Sequence, residues 1–82
     1  MTAVLVVGAD ERVLAAALAE AGAEDAVIVL DPSALALEAV ERALPDPRVW
    51  YQVGDGEVVP LPDASVDCVV GPRSPDVERV LR

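Results

Sequence analysis

Twice in succession the chain runs from a short, unbroken apolar stretch into a segment whose apolar residues return at helical spacing. The first unit is VLVVGADERVLAAALAEAG, residues 4–22, and the second is AVIVLDPSALALEAVERAL, residues 26–44. An unbroken apolar run of strand length suits a strand buried on both faces, and such strands occur in parallel sheets covered by helices. In the first unit Ala3–Val7 reads as the strand, and Val13, Leu14, Ala17, Leu18 and Ala21 form one helical face. Asp10 is placed to cap that helix, Glu11 lies in its first turn, and Gly22 is a candidate C′ stop. In the second, residues 26–30 form the strand, and Asp31-Pro32-Ser33 opens a helix carrying Leu35, Ala36, Ala39, Val40, Ala43 and Leu44 on its apolar side. Pro45 and Pro47 end it.

The rest of the chain continues the alternation with one gap. Residues 48–53, RVWYQV, read as a third strand. Residues 54–65, GDGEVVPLPDAS, form a loop punctuated by glycine and proline, and residues 66–70, VDCVV, read as a fourth strand. Ser74-Pro75 caps a last short helix with Val77, Val80 and Leu81 on its apolar side. The order β-α-β-α-β-β-α implies a three-layer α/β domain with a mainly parallel sheet and right-handed crossovers. Residues 1–82 are read as one domain without a linker or internal repeat.

Composition removes several classes of function. The 82 residues carry 15 acids against six arginines and no lysine, a net charge of −9 that repels nucleic acid and anionic membranes. There is no histidine and one cysteine, Cys68. Catalysis through a histidine base, cysteine or histidine metal sites and an internal disulfide are therefore not expected. No apolar run reaches the roughly 18 residues of a membrane span, and nothing resembles a signal peptide. A cytoplasmic protein is the expectation. With 54% hydrophobic residues and only Trp50 and Tyr51 aromatic, the core must be aliphatic. A domain this small is expected to gain burial from a partner chain.

Taken in order, these segments resemble the N-terminal half of the class I S-adenosylmethionine-dependent methyltransferases. The first unit lies where that family has its first strand, glycine loop and helix, and the second is similar to its second strand, terminal acid and helix. The stretch DPRVWYQVGDGEVVPLPDASVDCVV, residues 46–70, looks most like the family: an extended strand, Gly-Asp, a spacer ending in Leu-Pro, then Asp-x-Ser-hydrophobic-Asp and a hydrophobic strand. SPDVERVLR, residues 74–82, resembles the helix after the fourth strand. The resemblance implies a Rossmann-like sheet in the order 3-2-1-4. It also implies a cofactor, S-adenosylmethionine, at the carboxyl ends of the strands, where open α/β sheets bind ligands. Gly8 would lie in the loop beneath the methionine part. Asp31 would accept from the ribose hydroxyls, and Asp55 would meet the adenine amino group. Gly54 and Gly56 would let the backbone come close.

Two departures from the family lower the expected activity. The family's glycines are spaced Gly-x-Gly-x-Gly, and here the second and third are Asp10 and Arg12. Four strands are fewer than the family's sheet contains, and the missing part supplies much of the acceptor pocket. The expectation is a degenerate, minimal methyltransferase-like domain acting mainly as an interaction module. The alternative keeps S-adenosylmethionine or S-adenosylhomocysteine binding and works as a methyltransferase, alone or with a partner subunit. A receiver-like acid pocket of Asp10, Glu11 and Asp55 is a third reading, weakened because such domains also use a lysine. Asp31 and Asp55 also read as ordinary turn residues, Cys68 as a small buried hydrophobe, and Arg73 as a carboxylate contact or a solvated loop residue. In the family the fourth strand is internal, so its edge is expected to pair with a second copy. Val66, Cys68 and Val70 would share one side, with Val69 and Asp67 on the other.

Overall fold

The computed structural model describes residues 2–82. β1 (Ala3–Val7) leads into α1 (Glu11–Glu20), β2 (Ala26–Asp31) into α2 (Ala34–Ala43), and β3 (Val49–Val53), β4 (Cys68–Val70) and α3 (Pro75–Val80) follow. Each helix begins on a residue that satisfies its free N–H groups. Asp10 Oδ1 accepts from Arg12 N–H (2.9 Å) and Val13 N–H (3.2 Å), Ser33 Oγ from Ala36 N–H (3.2 Å), and Ser74 Oγ from Val77 N–H (3.1 Å). Pro75 occupies the first turn of α3, where a missing N–H costs nothing.

The strands form one parallel sheet in the order β3-β2-β1-β4. Alternation along β1 and β2 divides the core in two. Val6, Val27 and Val29 face α1 and α2 and pack with Leu14, Leu37 and Val40. Leu5 and Leu30 face the opposite layer and pack with Val59, Val66, Val69, Val77 and Val80. That second layer is α3 together with the loop 54–67, so the fold is the expected three-layer α/β domain.

Several local expectations need adjusting. Gly22 stands at C′ as expected, after the Ala21 cap that ends α1, but without the left-handed conformation: its N–H donates to Asp25 Oδ2 (2.8 Å). The third strand begins at Val49 rather than Arg48, whose guanidinium is held by Asp46 and the Ala21 carbonyl. The fourth strand is Cys68–Val70, shorter than 66–70. A bend at Asp67 breaks the alternation, so Val66 and Val69 lie in the same core cluster instead of on opposite sides. Val66 instead bridges Leu81, accepting from Arg82 N–H (2.8 Å) while its own N–H donates to the Val80 carbonyl (2.9 Å). Asp67 Oδ2 accepts the Ala3 N–H (2.8 Å). Cys68 is exposed rather than buried.

The two leucines of lowest and highest exposure on α1 and α2 separate core from surface. Leu14 is fully buried, whereas Leu35, expected on the apolar side of α2, is 77% exposed, and Leu37 is buried in its place. Leu14→Ala should destabilise the domain by about 2–5 kcal/mol in urea unfolding, and Leu35→Ala by less than about 0.5 kcal/mol. Equal effects would contradict this division.

Candidate functional site

The carboxyl ends of β1, β2 and β3 are tied to one another by backbone and carboxylate bonds. Gly8 N–H donates to the Leu30 carbonyl (2.7 Å), and Gly54 N–H to the Asp31 carbonyl (3.0 Å). The Asp31 carboxylate closes the arrangement, with Oδ2 accepting from Ala9 N–H (2.9 Å) and Oδ1 from Ser33 N–H (2.8 Å). Gly8, Asp31 and Gly54 are thus brought into one rim, with each Asp31 oxygen holding a single N–H.

Asp55 and Gly56 follow Gly54 along the same rim. Asp55 is exposed, and its Oδ1 accepts from Glu57 N–H and Val58 N–H (3.0 Å each), the local bonding of an aspartate turn. Its Oδ2 is not used in that turn. Gly56 is anchored through its carbonyl, which accepts from the Ser74 hydroxyl at the start of α3.

At Gly8 the missing side chain leaves open space, and at Gly56 an added Cβ would make an ordinary contact 3.5 Å from Val7 Cγ1. The φ of Gly8 is +107°, a region L side chains rarely enter, and a Cβ there would meet nothing within 4 Å. At Gly54 the space is taken by the protein itself, because a Cβ would sit 3.1 Å from Leu30 Cδ1 and 3.5 Å from Pro60 Cδ. Gly71, which the sequence did not single out, is the tightest of the set. Its φ is +117° and a Cβ would lie 2.8 Å from the Val7 carbonyl oxygen, so the end of β4 packs directly on the end of β1.

Beyond Gly8 the loop is occupied by its own side chain. Asp10 N–H donates to the Gly8 carbonyl (3.1 Å), and Asp10 Oδ1 takes the N–H groups of Arg12 and Val13. A polar concavity of about 620 Å³ fronts this turn, lined by Ala9, Asp10, Glu11 and Arg12. Arg73 is turned away into an exposed pair with Glu78 (3.2 Å).

A family profile described as "Methyltransferase domain" matches residues 4–82. The chain belongs to this methyltransferase-domain family. No curated protein and no solved structure matches it significantly. The match spans all four strands, so the rim just described lies inside the matched region, at the strand ends where the family's S-adenosylmethionine site is expected. Among the described residues of the methyltransferase domain, no group of three metal-ligating side chains comes together, and no helix is long and apolar enough to cross a membrane.

Sequence reasoning missed the residue that holds the rim's far side in place. Arg79 on α3 donates to the carbonyls of Leu61 (3.0 Å) and Val59 (2.8 Å), to Asp76 Oδ1 (2.8 Å) and to Asp63. Asp76 in turn accepts the Val59 N–H. Together they fasten the loop after Gly56 to α3. The Arg79 hydrogen bonds, then the Val59 N–H, lower the Asp76 carboxyl from 3.8 to about 2. A carboxyl depressed in the folded state adds stability that is complete above its unfolded value and is lost as pH falls. The melting temperature should therefore fall between pH 4 and about 2. Asp76→Asn should lower it at pH 7 and shrink that acid-side drop. An unchanged acid profile in Asp76→Asn would contradict the assignment. Asp46, lowered to about 2 by Arg48, should keep part of the drop in the variant.

Proposed function

We propose that this methyltransferase-family domain holds the adenosine part of S-adenosylmethionine or S-adenosylhomocysteine weakly, on Asp31 and Asp55, and serves chiefly as an interaction module. The observation that carries the reading is the bonding of Asp10. Its carboxylate consumes the Arg12 and Val13 N–H groups, which a glycine-rich loop would leave free for the anionic end of a ligand. It also sets a negative charge where the cofactor's carboxylate would approach.

The residues fit the nucleoside end better. Asp31 spends one N–H contact per oxygen, and a carboxylate oxygen can accept more than one bond, so capacity remains for ribose hydroxyls. Asp55 keeps Oδ2 for an amino group such as that of adenine, and Gly8 leaves the approach clear of a side chain. When bound, the cofactor supplies a methyl group on a positively charged sulfur. Its transfer needs alignment with an acceptor and no protein nucleophile, so this chain's part is to bind and orient. The interaction role is supported by the apolar surface around Trp50 and Val53, which are 65% and 52% exposed.

Calorimetric titration with S-adenosylhomocysteine tests the reading. Binding should be weaker than about 10 µM and should disappear in Asp31→Ala. Asp10→Gly should bind more tightly than the unmodified chain, while losing only a few tenths of a kcal/mol of stability at the cap. Dissociation below about 10 µM in the unmodified chain, or weaker binding in Asp10→Gly, would favour a domain that holds the whole cofactor and works as a methyltransferase.

A further inference from the structure

β3 closes the sheet on one side, and its five residues, VWYQV, carry neither charge nor proline. Edge strands without such protection are templates for pairing. The ladder to β2 decides which groups remain. Val27 N–H donates to the Arg48 carbonyl (3.0 Å) and Gly54 N–H to the Asp31 carbonyl (3.0 Å). Parallel ladders bond alternate residues, so Trp50 and Gln52 turn their backbone groups to β2, and Val49, Tyr51 and Val53 turn theirs outward. The outermost of these are already used: Val49 N–H donates to the Asp46 carbonyl (3.2 Å), and the Gln52 side-chain amide donates to the Val53 carbonyl (3.0 Å). The Val49 carbonyl, the Tyr51 N–H and carbonyl, and the Val53 N–H are left.

This set is its own complement. With a two-fold axis at Tyr51 and antiparallel strands, Tyr51 exchanges both bonds with Tyr51 of a second copy. The Val53 N–H of each copy then meets the Val49 carbonyl of the other. A longer foreign strand would find the Val49 N–H closed by Asp46 and one acceptor position of the Val53 carbonyl taken by the Gln52 amide. We propose that the chain dimerises in this way, pairing β3 with β3 and joining two sheets into one.

The bonding set and the exposed side chains, rather than charge, favour a second copy as the occupant. The chain has a net charge of −9, and α2 sets Glu38 and Glu41 beside Tyr51 and Val53, so the pairing brings acids of both copies towards the seam and should strengthen as salt screens them. β3 is neutral and follows directly on Arg48. Trp50 lines an apolar concavity of about 410 Å³ with Ala26, Ile28 and Leu61. In the pairing Trp50 lies opposite Gln52 of the other copy and Val53 opposite Val49, so both exposed side chains are covered. β4, where the sequence places the self-pairing edge, has three strand residues, and Leu81 of the same chain meets its approach at Val66.

Sedimentation equilibrium of the full chain over a concentration series tests the proposal, with the emission of Trp50, the single tryptophan, as a second readout. A monomer–dimer equilibrium is expected, with emission moving to shorter wavelength as the dimer forms. Val53→Pro removes an N–H that the monomer's sheet does not use, a change edge strands tolerate. It should weaken association at least about tenfold with circular dichroism unchanged. Trp50→Lys should weaken it without altering the backbone, and Cys68→Lys on β4 should leave it intact. A monomer at about 100 µM, association that survives both β3 variants, or association lost in Cys68→Lys would overturn the proposal.

Discussion

A parallel sheet has two faces to bury, and in this chain the two longer helices cover only one of them. α1 and α2 lie over Val6, Val27 and Val29, whereas the opposite face, centred on Leu5 and Leu30, is covered by one short helix and an irregular loop. Covering a sheet face with a loop exposes backbone polar groups to an apolar surface, and each needs a partner. Arg79 meets that need by taking the Val59 and Leu61 carbonyls, while Asp76 takes the Val59 N–H. The loop places Val59 and Leu61 over the sheet and then gives out before β3. Trp50 and the groove beside it are the part of that face left open.

The same loop begins at the candidate site, which links the fold to its chemistry. Gly54, Asp55 and Gly56 leave the end of β3, and the Gly56 carbonyl is held by Ser74 while Ser74 also caps α3. The rim is therefore set from two sides: by Asp31 bridging the turns after β1 and β2, and by α3 gripping the turn after β3. Asp10 stands apart. It stabilises α1 by the chemistry that takes the loop's amides out of play, so one carboxylate both starts the helix and alters the expected ligand site. Helix capping and anion binding compete for the same N–H groups.

What could be read from the sequence was local or periodic. The caps Asp10, Ser33 and Ser74 rest on side chains meeting amides two or three residues away, and the buried strands on unbroken apolar runs. The parallel order 3-2-1-4 followed from the resemblance together with the strand–helix alternation. The places where reading failed need contacts distant along the chain. Arg79 reaches carbonyls 18 and 20 residues back, across a segment with no periodicity to betray its packing. Val66 looked like a strand residue because Val-x-Cys alternates, yet the bend at Asp67, whose carboxylate holds the Ala3 N–H, turns it to the other side. Asp55 had both a turn and a ligand reading. Its turn bonds are present, and its second oxygen leaves the ligand reading standing.

The central claim is that the domain retains the nucleoside end of its family's cofactor site and has lost the amino-acid end to Asp10. Measuring adenosine and S-adenosylhomocysteine side by side, by amide chemical-shift titration of the full chain, tests it most directly. The account predicts dissociation constants within about threefold of one another, because the homocysteine part finds no free amides. Shifts should centre on Ala9, Ser33 and Gly54 to Val58, with Arg12 and Val13 unmoved. S-adenosylhomocysteine binding about a hundredfold more tightly than adenosine, with Arg12 and Val13 shifting on its addition, would contradict the account.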